Sequence, residues 1–110
     1  MSLKIDFYSS KVEKSIEEWP MHLRVKFLQI VDLIKEFGPY KLGMPHIKPL
    51  KQGLSEIRVR GLEGIARAPF CIKTGKVVII LSEFIKKTQE MPPKEIELAL
   101  KRMKEVKSDD

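Results

Sequence analysis

Closely spaced arginines are the residues of this sequence whose type and spacing point most directly to chemistry. Arg58 and Arg60 alternate with apolar residues, so a strand here would carry both guanidinium groups on one face. Arg67 follows a turn candidate at Gly61–Gly64, and hairpin pairing would place it about 5 Å from this pair. Neighbouring cations repel one another unless an anion lies between them, and a guanidinium group can bond two phosphate oxygens. The spacing predicts a phosphate-binding surface; the alternative is a solvated sheet face whose cations pair with Glu56, Glu63 or Glu83.

Lysines and one aromatic residue flank this arginine cluster in the sequence. Lys51 precedes it, and Lys86 and Lys87 follow the last predicted strand. Phe84, at the end of that strand, is the best placed ring for stacking on a nucleic-acid base. This combination of cations and an aromatic ring favours RNA as the anion.

Residue types that bind metals or act as nucleophiles are sparse. His46 stands alone in a predicted loop and is interpreted as a surface residue rather than a general base. Cys71 has no histidine near it in sequence and is interpreted as a small, semi-buried residue. The sequence has no glycine-rich phosphate loop and no metal-ligand spacing, so we expect neither a metal ion nor a cofactor.

Length and charge narrow the class of protein. The 110 residues predict one domain over residues 1–107, followed by a short polar tail at 108–110. The formal net charge of +6 favours a polyanionic partner such as nucleic acid. One cysteine excludes a disulfide framework within the chain, and no secretory signal or membrane span is recognisable. We therefore expect a soluble cytoplasmic protein without a membrane partner.

The N-terminal third predicts one strand and two helices. Leu3, Ile5 and Phe7 alternate with polar residues, as in a strand with one buried face. Ser10 and Glu13 have capping-box spacing and open a short helix. A longer helix begins near Pro20 and stops at Gly38-Pro39, and its apolar face is widened by Val25, Leu28, Val31 and Leu33.

The remaining chain predicts a loop, three strands and a helix. Tyr40–Pro49 is the loop; the strands lie around Ile57–Arg60, Ile65–Ile72 and Val77–Leu81, with Pro69 indicating an edge or a bulge. The apolar run from Val77 predicts a central strand. The final helix opens at Pro92-Pro93. The element order predicts an α+β fold, a small, mainly antiparallel sheet with an N-terminal helix pair and a C-terminal helix gathered over one face.

Two segments resemble signatures of the RelE/HigB toxin family, in its phage-derived HigB-like branch of the RelE/ParE superfamily. The run from Leu50 to Arg58 is similar to the element Leu-Lys-x-Gly-Leu-x-Glu-Leu-Arg, and Arg67 falls where that branch has an arginine on the next strand. The run from Phe84 to Pro92 resembles Phe-x-Lys-Lys-Thr-x-x-x-Pro. The predicted RelE-like element order agrees with this resemblance.

This resemblance implies the toxin of a type II toxin–antitoxin system, a ribosome-dependent endoribonuclease that cleaves mRNA by metal-free transesterification. It implies an antitoxin partner, expected to be a helix-turn-helix protein, besides the ribosome and mRNA. The catalytic residues would be Lys51, Arg58, Arg67 and Lys86, with Lys51 or Lys86 as the proton acceptor. Arg60, Phe84 and Lys87 would bind RNA.

The sequence departs from the family pattern at two places. Relatives commonly carry a histidine in the segment that here reads Leu81-Ser82-Glu83-Phe84, and aromatic residues where this chain has Ala68 and Pro69. These departures favour an alternative function, a non-catalytic member that binds its antitoxin as a co-repressor or acts as an RNA-binding module.

Overall fold

A computed structural model describes residues 2–87 and 90–108 of the chain. In the described part the elements are β1 Lys4–Phe7, α1 Ser10–Glu17, α2 Met21–Phe37, α3 Pro39–Leu42, β2 Ile47–Pro49, β3 Ser55–Gly61, β4 Gly64–Lys73, β5 Val77–Ile80, β6 Phe84–Lys86 and α4 Pro93–Lys107. Thr88 and Gln89 of the second signature, and the predicted tail beyond Ser108, lie outside the described residues. The α+β class is confirmed, with α3, β2 and β6 as additional short elements.

One mostly antiparallel sheet joins the six strands in the order β1-β5-β4-β3-β2, with β6 also pairing with β4. β1 runs parallel to β5, and the other pairs are antiparallel. The ten-residue strand β4 pairs with β3 on one side. On its other side it pairs with β6 near its start and with β5 near its end. The prediction of a central strand from Val77 is confirmed, because β5 lies between β1 and β4.

The tight turn between β3 and β4 is where the sequence predicts it, and it sets the register of the hairpin. Gly61 pairs with Gly64, which leaves Leu62 and Glu63 as the loop. Gly64 has φ +129°, and a Cβ atom there would lie 3.0 Å from the Lys86 backbone in β6. Glycine is thus required both for the backbone angle and for the close approach of β6.

Pro69 lies inside the sheet rather than at an edge, so the edge prediction is wrong. Its carbonyl oxygen accepts a hydrogen bond from the Leu81 backbone N–H at 2.8 Å. In a strand the N–H and the C=O of one residue point to the same neighbouring strand. The nitrogen of Pro69, which carries no hydrogen, therefore faces Leu81 in the segment between β5 and β6 and not β3. The proline is accommodated because no β3 ladder bond is lost there.

The helices occupy both faces of the sheet, which corrects the prediction that they gather over one face. Side chains of α1 and α2 pack with Phe70, Val78 and Ile80 in the larger buried cluster. Ala99 and Met103 of α4 pack instead on the opposite face. The apolar residues against which α4 packs are Leu54, Cys71, Ile79 and Leu81. Part of the face predicted to be charged is therefore apolar and buried beneath α4.

Polar contacts attach α4 to the residues that directly follow β1 and β5. Arg102 donates from Nη1 to the Leu81 carbonyl oxygen at 2.7 Å, and its guanidinium carbon lies 4.6 Å from the centroid of the Tyr8 ring. Tyr8 donates its hydroxyl hydrogen to Glu105 Oε2 at 2.6 Å. That hydrogen bond raises the pKa of the Tyr8 phenol above its ordinary value. The C-terminal helix is thus attached to two strand ends, through the side chain of Tyr8 after β1 and the backbone of Leu81 after β5.

Two local predictions for the helices need correction. The cap of α1 is Ser9 rather than Ser10, because its side-chain oxygen accepts a hydrogen bond from the Val12 N–H at 3.2 Å. Of the residues expected to widen the apolar face of α2, Val31 is buried. The others, Val25, Leu28 and Leu33, are exposed, since the sheet covers a narrower stripe of this helix than the pattern suggests. In the described residues no helix is long and apolar enough to cross a membrane.

Candidate functional site

Three neighbouring strands, β3, β4 and β6, bring three of the predicted site residues into one row. Arg58 of β3 is the direct cross-strand partner of Arg67 of β4. On the other side of β4, Arg67 is the partner of Phe84 of β6. The hairpin turn at Gly61–Gly64 sets the first pairing, as expected from the sequence. The second pairing depends on β6, which the sequence did not predict as a strand.

Burial of the arginines differs from the exposed face that the sequence analysis expects. Arg67 has 0% and Arg58 8% of its surface exposed. Arg67 donates from Nη1 to the Glu90 carbonyl oxygen at 3.0 Å, and its guanidinium carbon lies 5.7 Å from the centre of the Phe84 ring. The chain that follows β6 therefore returns over Arg67, with Met91 also buried. This return contact is a tertiary feature that strand alternation does not reveal.

A buried carboxylate accompanies the two arginines. Glu56, with 1% of its surface exposed, places Oε1 3.6 Å from Nε of Arg58. Burial raises the pKa of Glu56, while the positive charges of Arg67, Arg58 and Lys48 oppose that rise. Burial likewise lowers the pKa of Arg67, and the charge of Glu56 opposes that change. We call Glu56, Arg58 and Arg67 the buried charge cluster; it holds two guanidinium groups and one carboxylate.

Glu56 and Lys48 also belong to the candidate site, a placement that the sequence pattern does not predict. They are cross-strand partners in the β2–β3 pair. The sequence suggests Glu56 only as a counterion on a solvated face, and Lys48 lies in the predicted loop. The available signal was the position of Glu56 two residues before Arg58, which puts both side chains on one strand face.

The remaining predicted residues form an exposed positive margin. Lys86 is exposed, and its Nζ lies 6.0 Å from the centroid of the half-buried Phe84 ring. Lys87 is exposed just after β6. Lys51 is exposed in the turn between β2 and β3, where its carbonyl accepts a hydrogen bond from the Leu54 N–H. Arg60, also exposed, is paired with Ile65 rather than with Arg67. The structure thus brings Arg58, Arg67 and Phe84 into one row. Arg60 and Lys86, which both pair with Ile65, lie in the next row on that face, and Lys51 and Lys87 lie outside the strands.

His22 and Cys71 stand apart from this row, whereas His46 contacts it through its backbone. His22 lies 2.8 Å from Glu63 and links α2 to the β3–β4 turn. His46 is exposed, and its backbone carbonyl accepts a hydrogen bond from the Arg58 N–H at 2.8 Å. Cys71 is fully buried beneath α4 rather than half-buried. Within residues 2–87 and 90–108, no three His, Cys, Asp or Glu side chains are grouped as a metal site would require.

The fold is RelE-like. The solved structure of a mutant of the E. coli toxin RelE in the free state is similar, with a TM-score of 0.67 and 16% sequence identity. The match covers 94% of this chain and 99% of that chain.

Residues 14–104 match the family described as Phage derived protein Gp49-like (DUF891). The chain belongs to this family, and the RelE/HigB-like identification made from the sequence is confirmed. No curated protein sequence matches the chain significantly.

Proposed function

We propose that this protein is the toxin of a type II toxin–antitoxin system and cleaves mRNA on the ribosome. The observation that carries the proposal is the row of Arg58, Arg67 and Phe84, with Lys86 beside the Phe84 ring. Membership of the Gp49-like family and the fold shared with the toxin RelE support it. The net charge of +6 supports an RNA substrate.

The proposed reaction is a metal-free transesterification within the RNA strand. The 2′-oxygen attacks the adjacent phosphorus, the bond to the 5′-oxygen breaks, and a 2′,3′-cyclic phosphate forms. A base must take the proton of the 2′-hydroxyl, and an acid must give one to the departing 5′-oxygen. Lys51 and Lys86 are the candidates for the base, and both are exposed to an incoming strand.

Arg58 and Arg67 would stabilise the extra negative charge of the transition state. Positive groups held rigidly toward developing charge can contribute several kcal/mol to catalysis. Glu56 holds one side of this pair through its contact with Arg58. Because Arg67 is covered and bonded to the Glu90 carbonyl, direct contact with RNA requires the chain around Glu90 to move aside. RNA first meets Lys86, Lys87 and Arg60, which are exposed.

A non-catalytic role, as an antitoxin-binding co-repressor or an RNA-binding module, is the second candidate. Two observations favour it. Ser82, in the segment where relatives commonly carry a histidine, is buried. Arg67, the proposed transition-state residue, has no exposed surface. In this case a cognate antitoxin, expected to be a helix-turn-helix protein, would still bind the chain.

Induced expression in a bacterium separates the two functions. The wild type is expected to arrest growth, and Arg67→Ala is expected to relieve the arrest at equal protein level. Lys101→Ala is the control, because Lys101 is exposed on α4. Co-expression of the neighbouring gene product should also relieve the arrest if it is the antitoxin. Growth unaffected by the wild type would favour the non-catalytic function.

A further inference from the structure

A groove lies between α2 and the part of β3 that extends beyond β2. Its volume is about 370 Å³. One wall is formed by Ile30 and Leu33 of α2, and the other by Val59 of β3. Pro45, from the segment between α3 and β2, contributes to the lining. We call this cavity the α2 groove.

The apolar surface continues outside the α2 groove. Leu33 is 43% exposed, and Phe37, one helical turn further along α2, is 50% exposed. Met44, next to Pro45 in the chain, is 59% exposed. A small ligand inside the groove would leave Phe37 and Met44 uncovered. Contiguous exposed apolar surface of this kind is typical of sites that bind another protein.

The charged groups at the α2 groove all have the same sign. Lys26, Arg58 and Arg60 contribute to its lining, and no Asp or Glu is among the described lining residues. Lys26 bridges α2 and β3 by donating from Nζ to the Arg60 carbonyl oxygen at 3.4 Å. An occupant of complementary chemistry therefore carries carboxylates beside apolar side chains.

The lining favours a protein segment over RNA. Single-stranded RNA is bound largely by stacking its bases on aromatic side chains. Among the described lining residues His46 offers the one aromatic ring, whereas the walls formed by Ile30, Leu33 and Val59 are aliphatic and can bury an aliphatic or aromatic side chain of a protein partner. The apolar part of the proposed phosphate-binding row is the aromatic ring of Phe84, whereas the walls of the α2 groove are aliphatic.

We propose that the α2 groove is a docking site for an acidic segment of a partner protein. Apolar side chains of the segment occupy the space between Leu33 and Val59, and its carboxylates face Lys26 and Arg60. This inference does not rest on the proposed RNA cleavage.

Selection of peptides from a random display library on the full-length protein tests the proposal. The selected peptides are expected to combine Asp or Glu with Leu, Ile or an aromatic residue. Leu33→Glu places a carboxylate in the apolar wall, and Lys26→Glu reverses a charge at the groove. Each change should weaken the selected peptides about tenfold or more, and affinity for the wild type should fall with added salt.

Two matched variants on the same helix serve as controls. Leu28→Glu and Lys35→Glu make the same changes at exposed positions of α2 that do not line the groove. Both should bind the selected peptides as the wild type does, and thermal unfolding of all four variants verifies that they fold. The proposal is overturned if no peptide is enriched, if enriched peptides are basic or lack apolar residues, or if all variants bind equally. Loss of RNA-oligonucleotide binding in Lys26→Glu with unchanged peptide binding would assign the groove to RNA instead.

Discussion

Arg102→Ala should measurably loosen the attachment of α4 to the sheet. The substitution removes the hydrogen bond from a charged donor to the Leu81 carbonyl and the contact with the Tyr8 ring. A hydrogen bond to a charged group contributes about 1.5–3 kcal/mol, and a cation–π contact at a partly exposed site about 0.5–1 kcal/mol. The free energy of unfolding should therefore fall by about 2–4 kcal/mol, or roughly 8–16 °C in Tm at about 4 °C per kcal/mol.

Urea denaturation of the wild type, Arg102→Ala and Arg102→Lys measures this effect. Arg102→Lys keeps the charge but loses the planar fork, so an intermediate value is expected. Lys101→Ala, an exposed neighbour on the same helix, should change stability by less than about 0.5 kcal/mol. A loss for Arg102→Ala no larger than that of Lys101→Ala would refute the attachment of α4 through Arg102.

Three further outcomes are expected. Burial raises the pKa of Glu56, so its carboxyl group binds a proton more tightly in the folded protein than in the unfolded chain. The contribution of Glu56 to the free energy of unfolding should therefore fall as the pH rises from the pKa of the unfolded chain through the higher pKa of the folded protein. Denaturation at several pH values should show that Glu56→Gln lacks this fall. Equal pH slopes would contradict this. Leu100→Ala should cost about 2 kcal/mol in the same assay, since Leu100 is partly buried against the second cluster; unchanged stability would mean that α4 is not packed there. RNA-oligonucleotide affinity should decrease steeply with salt, with about −0.7 in log–log slope for each phosphate neutralised, and a salt-independent affinity would exclude phosphate binding.

Local signals in the sequence predicted the pairing at the centre of the site. A two-residue turn between Gly61 and Gly64 leaves few registers for the following strands, and it places Arg58 opposite Arg67. The second hairpin is equally local, because Thr74 and Gly75 have φ of 53° and 69°, the left-handed region that a tight turn uses. Pro92-Pro93 likewise marked the start of α4 correctly.

Features set by distant parts of the chain were not predictable in this way. The apolar periodicity of α4 shows that one side is buried but not which sheet face covers it. Cys71 and Ile79 were a signal for the second face, since they point away from Phe70 and Val78. The burial of Arg67 depends on a backbone contact with Glu90, 23 residues away in sequence. β2 and β6, with three residues each, are too short for alternation to be recognised.

Single-turnover cleavage of mRNA on programmed ribosomes tests the central claim most directly. Arg67→Ala should lower the cleavage rate by about 10²–10³-fold while ribosome binding stays nearly unchanged, because a contact made chiefly in the transition state affects rate rather than affinity. His46→Ala should cleave at close to the wild-type rate, since His46 contacts Arg58 through its backbone carbonyl, which alanine keeps, and the residue is otherwise exposed. Thermal unfolding of each variant ensures that the rates are compared on folded protein. Cleavage abolished by His46→Ala but spared by Arg67→Ala would contradict the account, and a wild type that cuts no mRNA would leave the protein a binding module.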